Sequence, residues 1–127
     1  MPGRIIGIGG VFFKSEDPDA QRAWYEKHLA IKSEGEGGAI FNWKSATEPA
    51  RDLMTVWSIF PAASTYMSGP MMINYIVEDL DDLIARLTEE GVRIDPKREK
   101  HEYGGFAWIY DGEGNKIELW EPPAAGQ

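Results

Sequence analysis

Asp111-Gly112-Glu113-Gly114-Asn115-Lys116-Ile117-Glu118-Leu119-Trp120 is the stretch that decides the fold. Two glycines and an asparagine stand between apolar runs, and both residue types tolerate the positive φ of a tight turn. Phe106 to Tyr110 before the turn is aromatic and β-prone, and Ile117 to Trp120 after it alternates. Two such runs across a short Gly/Asn turn predict a β-hairpin. On its second strand Ile117 and Leu119 share one face, Glu118 and Trp120 the other. A carboxylate beside a tryptophan on an inward face is an unusual placement, and the rest of the sheet has to account for it.

Outward from the hairpin, the chain reads as alternating strands and helices. Met71 to Val77 predicts a strand and Leu80 to Glu90 a helix with Leu80, Leu83, Ile84 and Leu87 on one face. Gly91 stands where a C-terminal cap belongs. Val92 to Ile94 is a short strand and Asp95 to Tyr103 a polar loop. Further back, Ile5 to Phe13 predicts a strand. Asp17 caps a helix over Pro18 to Leu29, with Pro18 at its first position. Ala20, Ala23, Trp24 and Lys27, with the Tyr25 and Leu29 pair, give that helix an apolar face. Glu34 to Gly38 is a Gly-rich turn, Ala39 to Trp43 and Leu53 to Phe60 are strands, and 61–70 is an irregular linker.

The chain repeats itself. Glu78-Asp79 follows Glu16-Asp17 at a shift of 62 (78 − 16), and Val11, Phe13 and Ala23 then fall on Ile73, Tyr75 and Ala85. Each half is expected to be a βαβββ module: module one over 4–60, module two over 71–121, together one domain spanning 1–127. The fold class expected is α+β. Two tandem modules with pseudo-two-fold symmetry form a concave mixed sheet, one helix covering each module.

Bulk composition agrees with one domain. The 127 residues are 43% hydrophobic, enough for a core and too many for a disordered chain. The net charge of −8, with no basic stripe, argues against a nucleic-acid partner. No apolar run is long enough to span a bilayer, and Ile5 to Phe13 lacks the flanks of a signal peptide, so a cytoplasmic location is expected. The absence of cysteine removes disulfides and thiolate chemistry.

These residues resemble the vicinal oxygen chelate superfamily of glyoxalases, bleomycin-resistance proteins and extradiol dioxygenases. The resemblance rests on Asp17-Pro18, Trp24-Tyr25, Leu29-Ala30, Val77-Glu78-Asp79-Leu80, Gly91 and the Asp111 to Asn115 turn followed by Ile117-Glu118-Leu119. Gly112 and Ala30 stand where the family usually has Pro and Gly. The resemblance implies a cavity on the concave face with a divalent metal held by the first and last strands of each module. The implied positions here are Gly10, Thr55, Met72 and Glu118, with Thr55 taken from aligning Trp57 with Trp120. Glycine, a thioether and a neutral hydroxyl beside one carboxylate are a poor set for a hard cation. No metal or other cofactor is therefore expected, although two histidines, His28 and His101, are present.

By alternation, an aromatic-lined cavity is expected to bind a small organic molecule through Phe12, Thr55, Trp57, Met72, Asn74, Glu118 and Trp120. Aromatic rows on strands serve a core more often than a pocket, so each tryptophan keeps both readings. Glu118 keeps three: a ligand anchor, a carboxylate paired with Lys14 or Lys116, or a general base. Three functions follow: metal-free sequestration of a small molecule, an enzyme of lyase, isomerase or dioxygenase type that depends on a metal or on Glu118, and an accessory domain with a filled cavity. The absent ligands favour the first. The resemblance also implies a homodimer.

Overall fold

The hairpin forms as expected, and its turn is tied by one side chain. Asp111 Oδ1 accepts the backbone N–H groups of Glu113 and Asn115, both at 2.9 Å, and Oδ2 accepts Asn115 Nδ2 at 3.0 Å. These donors, the Asn115 side chain foremost, hold the Asp111 carboxyl below the usual carboxylate range. Gly114 takes the positive φ, +86°, that closes the turn.

The computed structural model describes residues 3–34, 38–45, 48 and 50–123. Its elements are β1 (Arg4–Ser15), α1 (Pro18–Leu29), β2 (Ala39–Lys44), β3 (Asp52–Pro61), β4 (Met71–Glu78), α2 (Leu80–Glu89), β5 (Ile94–His101), β6 (Gly104–Tyr110) and β7 (Lys116–Glu121). One mixed sheet runs β2-β3-β1-β4-β7-β6-β5. At its centre β1 and β4 are antiparallel. Each has a parallel neighbour, β3 beside β1 and β7 beside β4, and each of those has an antiparallel partner, β2 and β6. Six of the seven strands are thus related by a two-fold between β1 and β4, with β5 added at one edge, and the α+β architecture stands.

Two expectations change. The first half has only two strands after its helix among the described residues: 30–34 carry no strand, and 35–37 lie outside the described set. That segment is Gly-rich and offers no β-prone run. Conversely, the loop expected over 95–103 is mostly strand β5. Charges on both of its faces hide the period of two, and Pro and Lys are what an edge strand carries to discourage further pairing.

The helices differ in how they cover the sheet. On α2, Leu80 and Leu83 are buried against Val77, Ala107 and Leu119, with Ile84, Leu87, Ile109 and Ile117 packed around them. Asp79 caps that helix, and Gly91 follows it at φ +79°. Helix α1 is capped by Asp17, whose side chain accepts the Ala20 N–H at 3.1 Å. No residue of α1 is buried, however, and Trp24 is 49% exposed. Of its expected apolar face, Tyr25 makes the ring contacts to the sheet, edge-on to Trp57 at 4.8 Å and to Phe13 at 5.8 Å. Ala30 ends α1 in the left-handed region, φ 58°, the conformation that favours glycine at this family position.

Candidate functional site

The face opposite α2 holds a second core cluster, made of Phe12, Met72, Trp108 and Met67, with Val56, Phe60 and Phe106 against it. Strand register places these residues. Phe12 lies opposite Met72 across the central seam, and Gly10 opposite Asn74. Asn74 pairs with Glu118 on β7, and Glu118 with Trp108 on β6. Alternation then puts Asn74, Glu118, Trp108, Phe106 and Trp120 on the concave face, as expected.

Thr55 and Trp57 are not on that face. On β3 the residues opposite Gly10, Phe12 and Lys14 are Val56, Ser58 and Phe60. Trp57 points the other way, onto Tyr25 and Phe13. Thr55 is a pin between strands: its hydroxyl donates to the Ile8 carbonyl at 2.5 Å and accepts from Trp43 Nε1 at 2.9 Å. The error has a plain source. Matching Trp57 to Trp120 shifts the alignment by an odd number relative to the true register, and a one-residue slip exchanges the faces of a strand. Phe12 pairs with Ser58 as Asn74 pairs with Glu118, so Ser58 is the true counterpart of Glu118.

Glu118 is 2% exposed and sits at the centre of the site. Its Oε1 accepts Asn74 Nδ2 at 2.5 Å; its Oε2 accepts Trp108 Nε1 at 3.0 Å and the Tyr66 hydroxyl. Among the described residues no Lys, Arg or His makes an ion pair with it, so the expected pairing with Lys14 or Lys116 does not form. Burial first, then the hydrogen bond to Glu118 and its charge, push the Tyr66 phenol well above the usual phenol range.

Tyr66 and Met67 are the site residues that sequence reasoning missed. They belong to the connector at 62–70, read as a bare linker, which crosses the concave face. The Tyr66 ring stacks on Phe60 at 5.7 Å and stands edge-on to Trp108 at 6.5 Å, while Met67 is 2% exposed beneath it. The available signal was an adjacent aromatic and thioether in an otherwise small and polar stretch. The connector is anchored at both ends, by Ala62 N–H to the Ser15 carbonyl and by Lys14 N–H to the Pro70 carbonyl, each at 2.8 Å.

Toward β5 the concave face continues as an aromatic run. Phe106 stacks between Trp108 at 6.3 Å and Trp120 at 6.2 Å, and His101 meets Phe106 edge-on at 5.9 Å. Trp120 Nε1 donates to the Tyr103 carbonyl at 2.8 Å. His28 lies on α1 against Trp24, away from this face. A separate cleft of about 370 Å³ lies between α2 and the β5–β6 edge, lined by Leu80, Asp81, Arg98 and Glu121 among others. Its Arg98 is already paired with Asp81 at 2.9 Å, and it contains none of the Glu118 network.

The four positions implied for a metal are, after the register correction, Gly10, Ser58, Met72 and Glu118. They supply one carboxylate already receiving neutral donors, one hydroxyl, one thioether and no side chain at all. That donor set does not fit a hard divalent cation. Among the described residues no three His, Cys, Asp or Glu side chains are grouped to hold an ion.

A mixed sheet with antiparallel central strands, each with a parallel neighbour, and a buried carboxylate on its last strand points to one class of protein. Residues 7–119 match the model of the Glyoxalase/Bleomycin resistance protein/Dioxygenase superfamily, and the chain belongs to that family. Among solved structures it is similar to a single-site variant of Streptomyces coelicolor methylmalonyl-CoA epimerase in complex with 2-nitronate-propionyl-CoA, at 14% identity and TM-score 0.69, covering 98% of this chain and 99% of that one. It is also similar to methylmalonyl-CoA epimerase from Mycobacterium tuberculosis, at 20% identity and TM-score 0.58, covering 94% and 89%. The Mn(II)-bound glyoxalase from Novosphingobium aromaticivorans shares 19% identity at TM-score 0.62, covering 94% of this chain and 40% of that one. At these identities the likeness is one of fold. No curated protein matches the chain. No described helix is long and apolar enough to cross a membrane.

Proposed function

We propose that this protein binds a small, largely apolar or flat organic molecule on its concave face without a divalent metal, with Glu118 and Asn74 as the polar anchor. The observation that carries this reading is a carboxylate 2% exposed, held by an amide, an indole and a phenol, with no ion pair to it among the described residues. Burying a carboxylate on neutral donors alone is expensive. Phe12 and Met72 form the floor and Trp108, Phe106 and Trp120 one wall. Met67 and Tyr66 fill the space above, and they come from the connector rather than from the sheet. Ligand entry is therefore a displacement of that segment. A base role for Glu118, in a lyase or isomerase of this family, would begin only after Tyr66 has left Oε2, so the anchoring role is the simpler one. The exposed β2 edge, with Ile40 and Phe41 half out of contact, supports a homodimer.

Two measurements test this. Protein purified without chelator should carry well under one divalent metal per chain by elemental analysis; a value near one overturns the metal-free reading. A screen of small aromatic compounds, followed by tryptophan fluorescence, should find ligands whose binding is unaffected by EDTA. For such a ligand, Tyr66→Phe should bind about fivefold tighter, because one hydrogen bond of about 1 kcal/mol no longer holds the connector down. Weaker binding would place the Tyr66 hydroxyl on the ligand instead.

A further inference from the structure

The proposed site has more hydrogen-bond acceptors than donors. Glu118 accepts from Asn74, Trp108 and Tyr66. Asn74 is 3% exposed, and while its Nδ2 serves Glu118, its Oδ1 is buried without a donor. That oxygen lies over Gly9, where β1 bulges: a Cβ on Gly9 would collide with it, with Ile76 and Trp120 next nearest. A buried carbonyl oxygen with no partner is destabilising, and native folds rarely retain one without use.

The two lysines that stand over Trp108 are committed elsewhere. Lys97 is paired with Glu99 at 2.9 Å, and Lys116 Nζ donates to the Tyr66 carbonyl at 3.3 Å. Both stand over the Trp108 ring, at 5.3 and 6.0 Å, rather than at the carboxylate. When Tyr66 leaves, Glu118 Oε2 loses a donor, and Asn74 Oδ1 still lacks one. A carboxylate ligand brings no donor and meets like charge. A neutral alcohol brings one. A protonated amine or amidine brings several N–H groups and the missing positive charge, and the faces of Phe12, Phe60 and Trp108 attract a cation.

We infer that the ligand is an organic cation, an ammonium or amidinium group on an aromatic or apolar body, whose N–H groups bond to Glu118 and to the orphaned Asn74 Oδ1. This rests on the concave face being the binding site, and the test separates the two. Benzylamine, 2-phenylethylamine and tryptamine are titrated at pH 7 by calorimetry against benzyl alcohol, 2-phenylethanol and tryptophol. The amines should bind about tenfold tighter than their paired alcohols. Glu118→Gln should bring each amine to within about twofold of its paired alcohol, whatever it does to the alcohols; a tenfold preference kept in Glu118→Gln would overturn the cation. Alcohols binding as well as amines would overturn the cation and leave the concave-face reading intact. No binding by any of the six would overturn both.

Discussion

Glu118→Ala should lower the unfolding free energy by about 3 kcal/mol, because it strands the Asn74 amide and the Trp108 indole N–H in a buried site with no acceptor. Tyr66 can turn to water and adds little. For a chain of this size that is a fall in melting temperature of roughly 10 °C. Glu118→Gln should cost only about 1 kcal/mol. Its amide oxygen accepts from Trp108 and Tyr66, and Asn74 can reverse its own amide to receive the new N–H. The contrast between the two variants separates network geometry from charge. Equal losses in both, read by chemical denaturation, would show that the charge itself holds the fold. A loss under 1 kcal/mol for Ala would show that the three donors find water.

Gly104→Ala should destabilise by about 3 kcal/mol or more, with no ligand involved. Gly104 turns the chain from β5 into β6 at φ +131°, a region that side chains rarely enter. A Cβ there would also collide with the Glu121 carbonyl oxygen and lie 2.5 Å from Trp120 Nε1. The first of these is backbone and cannot swing away. The substitution therefore pushes β7 at Glu121 and loosens the Trp120 bond to the Tyr103 carbonyl. Thermal melts give the size, and a red-shifted tryptophan emission would report the loosened ring. A loss below 1 kcal/mol would show that the turn relaxes by changing register.

What could be read from the chain, and what could not, divides along physical lines. The hairpin, both helices and the two-fold strand order were legible, because Gly/Asn turns, Asp caps and a repeated Glu-Asp pair are local signals. Glu118 and Asn74 were placed on the right face because alternation from a well-fixed turn leaves no freedom. Thr55 and Trp57 were misplaced because nothing local sets the register of β3; it is fixed by pairing with β1, far away in sequence. β5 was missed because charges on both faces of an edge strand erase alternation. The apolar face of α1 was overstated, since spacing shows which residues could face a sheet and says nothing of how closely the helix approaches it. Tyr66 was missed for a deeper reason: its role depends on a loop crossing over a surface made by both halves.

That crossing segment, 62–70, is not woven into the sheet. The walls are fixed by strand pairing, whereas the roof is a short run of chain sewn down at Ser15 and Lys14. Under the proposed binding role, lengthening or shortening that span alters the room above Glu118 while every strand stays where it is.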